Sequence, residues 1–158
     1  MLEKKGVIEG SEKAELDTFI RKNDKTPCLA VEFKYHRQEL NTPLHFDWAG
    51  NLVCDFHRLT RLKDEAAGAE RLSVYVANND MIVNYENRRA RGDWAKPMCD
   101  LILTPPFANA QPFALPNASA TFMEKTKVAG AAFTGCTIQC LFAKDLAGGN
   151  VLRIFEIK

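Results

Sequence analysis

An α/β (α+β) fold, a central mixed β-sheet with flanking helices, is predicted by three features of this 158-residue chain. Two stretches, 16–35 and 136–158, each read as a pair of alternating strands around a polar turn. Between them, Asp55–Ala67 carries apolar residues at helical spacing and joins two strand patterns. A helix between two strands favours a parallel pairing reached by a right-handed crossover. The length suits a single domain, residues 1–158, and 46% hydrophobic with 26% charged residues is the composition of a soluble globular protein.

The charge balance narrows the function. With 21 Lys and Arg against 20 Asp and Glu, the chain carries no global basic field, which argues against coating nucleic acid by charge alone. The charged start Met1-Leu2-Glu3-Lys4-Lys5-Gly6 leads into no apolar run, so neither a secretory signal nor a membrane partner is expected, and a cytoplasmic location is the default. Five cysteines without Cys-x-x-Cys spacing suit reduced thiols rather than a zinc or disulfide scaffold. Cys136 and Cys140, on one strand face, are expected as buried thiols.

In the first hairpin, Leu16–Lys22 and Cys28–Tyr35 flank the turn Asn23-Asp24-Lys25-Thr26-Pro27. Alternation assigns Leu29, Val31, Phe33 and Tyr35 to the core and puts Cys28, Ala30, Glu32 and Lys34 on the other face. A turn centred between Asp24 and Lys25 sets Asp17 opposite Glu32, and Glu15 opposite Lys34. Two facing carboxylates destabilise a sheet unless a cation joins them. Mg²⁺ or Mn²⁺ takes oxygen ligands of this kind, and Asp17, Glu32 and the backbone carbonyl of Phe33 are the candidate set. Lys34 is then placed to orient a metal-bound water or to stabilise negative charge in a phosphoryl transition state.

Asp17, the polar turn and the strand ending Val31-Glu32-Phe33-Lys34-Tyr35 resemble the core motif of the PD-(D/E)xK, or restriction-endonuclease-like, nuclease superfamily. The resemblance implies a restriction-endonuclease-like core and Mg²⁺-dependent hydrolysis of DNA phosphodiester bonds. Asp17 and Glu32 would hold the metal, and Lys34 would assist the attacking water. It is close over Leu16–Tyr35 and looser to about Asn79. The sequence departs from the family in having Leu16 before the acid, where Pro is frequent. Only 16 residues precede Asp17, little room for the family's N-terminal helix and first strand, whose glutamate often helps bind metal. Glu12 and Glu15 are the acids available to stand in. A homodimer covering the exposed sheet is the expected answer to a missing first helix.

Further along, His36–Cys54 reads as a long surface loop, with His36, Arg37, Gln38 and His45 as candidate nucleic-acid contacts and Phe46 and Trp48 as stacking or core-covering residues. Asp55 is the expected N-cap of the helix and Gly68 its stop. Phe56, Leu59, Leu62 and Ala66 form the inward stripe, leaving Arg58 and Arg61 for the solvent or a phosphate backbone. Arg71–Ala77 is a strand ending at Asn78-Asn79-Asp80, and Met81–Tyr85 is expected as another short strand. Arg88, Arg89 and Arg91 make the densest basic cluster. The proline-rich Thr104–Pro116 is expected as a loop pinned by Phe107 and Phe113.

Cys136–Lys144 and Val151–Lys158 form the last hairpin. Its Glu156-Ile157-Lys158 repeats the Glu-x-Lys pattern without an acid-bearing partner strand and is assigned no role. No P-loop, dinucleotide fingerprint, serine-hydrolase elbow or zinc-protease motif occurs. Two other readings stand beside the nuclease: a non-catalytic nucleic-acid- or protein-binding module on a degenerate nuclease fold, and a cysteine hydrolase built on Cys54, at the expected helix N-terminus, with His45 or His57.

Overall fold

The computed structural model describes residues 2–3, 16–37, 47–62, 68–92, 96–106, 109–114 and 135–158. Its centre is a mixed seven-stranded sheet in the order β1-β2-β3-β4-β7-β6-β5. The strands are β1 (Leu2–Glu3), β2 (Thr18–Arg21), β3 (Pro27–His36), β4 (Glu70–Ala77), β5 (Gln111–Phe113), β6 (Cys136–Asp145) and β7 (Val151–Ile157). Three helices accompany them: α1 (Asp47–Thr60), α2 (Asn79–Arg91) and α3 (Lys96–Leu103).

The first hairpin forms in the expected register from Thr18 to Ile20 and slips by one residue at Arg21, which lies opposite Pro27. Thr18 lies across from Val31, Phe19 from Ala30 and Ile20 from Leu29, and continuation of that register sets Asp17 opposite Glu32. The turn is closed by Lys22 N–H donating to Thr26 O and Lys25 N–H to Lys22 O, both at 2.9 Å. Lys25 takes a positive φ of 68° there. β3 then pairs with β4 in parallel, from Leu29↔Glu70 to His36↔Ala77, with α1 in the connection between them. This is the pairing expected of a strand-helix-strand unit. β1 pairs with β2, Leu2 opposite Ile20 and Glu3 opposite Phe19, so a strand does precede the hairpin in the sheet.

Val31 is buried as expected, but beyond it the inward face of β3 is the reverse of the expected one. Ala30 and Glu32 are buried, whereas Phe33 is 52% and Tyr35 61% exposed. Alternation identified the two faces correctly but assumed that the more apolar one must be covered. Here α1 packs on the Glu32 face, where its charged side chains compensate the buried acid, and Phe19 on β2, Tyr75 and Ala77 on β4 and Phe155 on β7 are all buried. Phe56 of α1 stacks edge-on against Phe113 and Phe155, with ring centroids 5.7 and 6.4 Å away. Such contacts add to the area buried by each ring.

The helices also differ from expectation, and α1 ends at Thr60 rather than running to a stop at Gly68. α1 begins at Asp47, so the second half of the expected His36–Cys54 loop is helical and Asp55 lies inside the helix rather than at its N-cap. Leu52, Val53, Phe56 and Leu59 extend the buried stripe one turn earlier than the Asp55 start suggested. Met81–Tyr85 is helix, not strand. Asn78 caps α2 by accepting from Met81 N–H, and Met81 and Tyr85, one turn apart, bury together. Gly92 closes α2 in the left-handed conformation. The expected proline-rich loop contributes the short edge strand β5, whose Pro112 needs no donor on its outer side.

The last hairpin is as expected, β6 and β7 joined by a turn with Gly148 and Gly149 at positive φ. Buried Arg153 ties this hairpin to α3. Its Nε donates to Ile102 O at 3.0 Å, Nη1 to Leu152 O at 3.1 Å, and Nη2 to Asp145 Oδ1 at 3.1 Å. A buried guanidinium is tolerable when its donors are shared out in this way. Among the described residues no helix is long and apolar enough to cross a membrane.

Candidate functional site

The charged cluster lies where β3 meets α1. Glu32 projects from β3 on the α1 side, almost wholly buried. Arg58, on the facing surface of α1, donates from Nε to Glu32 Oε1 at 2.9 Å and from Nη2 to Asp55 Oδ1. Lys34 Nζ, two residues along β3, stands 3.1 Å from Asp55 Oδ2. Asp55 is as buried as Glu32, while Arg58 and Lys34 keep 30% and 25% of their side chains exposed. Asp17, exposed just before β2, accepts from the Phe33 N–H at 2.7 Å. The cluster is thus a layer of buried carboxylates under a partly solvated layer of cations.

Its electrostatics follow from that layering. Burial pushes the Glu32 carboxyl up to about 7. Arg58 pulls it back, while Asp55 and Asp17 push it further up, the latter through both its charge and a side-chain hydrogen bond. Burial likewise raises Asp55, opposed by Lys34 and Arg58. Three acids close enough to repel one another are the donor chemistry a hard divalent cation uses. Among the described residues, however, no group of three or more His, Cys, Asp or Glu side chains is arranged to hold a metal ion. The acids are instead satisfied by Arg58, Lys34 and the Phe33 amide.

Asp17, Glu32 and Lys34 therefore lie in one neighbourhood, as the sequence suggested. Phe33 takes part through its backbone, and its side chain faces away. The remaining candidates separate. Arg58, expected at a phosphate backbone, is turned onto the acids. His36 is buried against Tyr75 with Nδ1 3.0 Å from the hydroxyl, which in turn meets that of Tyr85. Burial, with Lys34 assisting, lowers the imidazole to about 4, so it sits in the core as a neutral group rather than as a cation at the surface. Arg37 and Arg61 are exposed. Gln38, His45, Phe46, Phe107, Glu12 and Glu15 lie outside the described residues, as does the side chain of Trp48.

Asp55 is the residue that sequence reasoning missed, having assigned it to a helix cap. With α1 started at Asp47, the i,i+3 pair Asp55 and Arg58 falls on one helical face beside the Phe56 and Leu59 stripe, and that spacing was the available signal. Cys54 does not fit a nucleophile. It lies mid-helix rather than at a helix N-terminus, and burial, with Asp55 beside it, raises its thiol. A pocket of about 460 Å³ lies elsewhere, between α3 and β5, walled by Pro97, Leu101, Pro112 and Phe113. Among its described lining residues the one carboxylate, Asp100, is paired with Arg89 and Lys96, so these hold no comparable cluster. The chain matches no family model, no curated protein and no solved structure.

Proposed function

We propose that this chain is a Mg²⁺-dependent nuclease that hydrolyses DNA phosphodiester bonds, with Glu32, Asp17 and Lys34 at its centre. The observation that carries the reading is the gathering of Glu32 and Lys34 of β3 with Asp17 at the start of the paired strand. The strand-strand-helix-strand order, with β3 and β4 parallel, supports a restriction-endonuclease-like core. A bound Mg²⁺ would supply Lewis-acid activation of water and charge neutralisation at the phosphate. Glu32 and Asp17 would hold it through oxygen, with the Phe33 carbonyl as a third donor. Lys34, a quarter exposed, is placed to orient the attacking water and to stabilise charge on the phosphoryl oxygens. Exposed Arg37 and Arg61 offer positive charge to the DNA backbone.

The test is cleavage of plasmid and single-stranded DNA in Mg²⁺ and in Mn²⁺. Glu32→Gln and Lys34→Ala are each expected to lower the rate by about 100-fold or more while circular dichroism stays native, in the range of a lost electrostatic or acid–base group. Undiminished cleavage in both variants would overturn the reading. A non-catalytic nucleic-acid- or protein-binding module is favoured by a different observation. The acids are neutralised by the chain's own cations, and Phe33 and Tyr35 stand exposed on the opposite face. DNA binding without metal-dependent cleavage would select that second reading.

A further inference from the structure

We infer that the Arg58 guanidinium occupies the cation position of this site, so that a divalent metal and Arg58 compete for Glu32 and Asp55. The inference deepens the proposed metal site and rests on that reading. A buried carboxylate needs a counter-charge, and here one guanidinium serves two of them, Nε on Glu32 and Nη2 on Asp55. Both acids have only 2% of their side chains exposed, whereas Arg58, at 30%, reaches the site from its solvent side. An arm of that length can swing outward without unpacking α1, whereas the acids are held in place by β3 and the helix. A second observation points to an unfilled role at the floor of the cluster. Ser73 is in register with Glu32 on the neighbouring parallel strand, is fully buried, and its hydroxyl has no hydrogen-bond partner among the described residues. The ion-paired arrangement thus leaves the buried Ser73 hydroxyl unused where a hydrated cation offers a donor.

Exchange of the two cations assigns a role to Asp55, as the third carboxylate of the metal-loaded site. It also gives Arg58 two successive roles. With no metal it neutralises the acids and keeps the site closed. Once displaced it stands at the mouth as a free guanidinium, suited to a phosphate oxygen. Lys34 then shares Asp55 with the metal.

Competition is measured as Mn²⁺ affinity of the full chain, read from loss of the free-ion paramagnetic resonance signal and so independent of cleavage. Arg58→Gln, which keeps length and removes charge, is expected to tighten Mn²⁺ at least tenfold, and Asp55→Asn to weaken it at least tenfold. A folded Arg58→Gln that binds Mn²⁺ no tighter than wild type overturns the inference. Should that variant fail to fold, the wild-type Arg58 Nε–H resonance decides. A shift that saturates with Mg²⁺ supports displacement, and an unmoved resonance at metal saturation refutes it. Metal competition without DNA cleavage would leave the inference standing and remove the nuclease reading. Metal-dependent cleavage with no tightening in Arg58→Gln would do the reverse. Absence of Mn²⁺ binding in wild type and variant alike would remove both.

Discussion

His36 provides a prediction whose size follows directly from its surroundings. Buried against Tyr75, its imidazole is lowered from 6.5 to about 4, so between these values the unfolded chain binds a proton that the folded one refuses. Stability from His36 is complete above pH 6.5, falls as the pH drops, and stops falling below about 4. With one pH unit equivalent to about 1.4 kcal/mol, the loss is about 2 kcal/mol at pH 5 and about 3 kcal/mol at pH 4. Glu32 acts with the opposite sign. Its carboxyl is raised to about 7, so its contribution is complete below the ordinary carboxylate value and disappears as pH rises through 7. The two slopes partly cancel in the intact protein.

The quantity to measure is therefore the difference in urea unfolding free energy between wild type and His36→Gln from pH 7 to pH 4. His36→Gln is expected to lose less stability over that range by about 2–3 kcal/mol. The titration of the His36 ring proton by NMR checks the same quantity directly, with a midpoint near 4. Parallel stability curves together with a ring midpoint near 6.5 would refute the buried, neutral imidazole.

Four other substitutions test the framework of the fold. Phe56→Ala removes a fully buried ring packed on Phe113 and Phe155 and is expected to cost about 3–5 kcal/mol in denaturant unfolding. Tyr85→Phe deletes one hydroxyl of the buried Tyr75–Tyr85 pair and should cost about 1–2 kcal/mol; a neutral result would show that the hydroxyl is not confined there. Gly148→Ala and Gly149→Ala differ instructively, because both residues have positive φ but a Cβ at 149 would collide with Asn79 Oδ1 while one at 148 would make only an ordinary 3.9 Å contact with Asn150 Nδ2. Gly148→Ala should cost about 1 kcal/mol and Gly149→Ala clearly more, by thermal or chemical unfolding.

The sequence made the hairpins legible because polar turn residues and two-residue alternation are local signals. The Thr18–Val31 register and the β6–β7 pair both follow from them. The β3–β4 crossover was legible for a similar reason, since a helix between two strands leaves few alternatives. The buried side of β3 was not, because exposure is set by what packs against a strand. Arg58 and Lys34 make a buried Glu32 tolerable, and both the partner and its distance are tertiary facts. Met81–Tyr85 was misread because Met81, Val83 and Tyr85 alternate as a strand would, whereas Asn78 capped the segment and selected a helix. At the site, Asp17, Glu32 and Lys34 were visible as a motif. Asp55 was not, since its role depended on a helix start eight residues earlier, in a stretch that read as loop.

The position of β7 carries a consequence for the order of assembly. It follows the other strands in sequence, yet it pairs with β4 on one side and β6 on the other. Without those residues the sheet would divide into two ribbons, β1-β2-β3-β4 carrying the acidic cluster and β5-β6 carrying none of it. The cluster-bearing ribbon then presents the free backbone of β4 as an open edge, a template for pairing with a wrong chain. Docking of β7 is thus the step that both completes the core around Phe155 and protects the half of the molecule holding Glu32 from association, and slow docking would show itself as concentration-dependent loss during refolding.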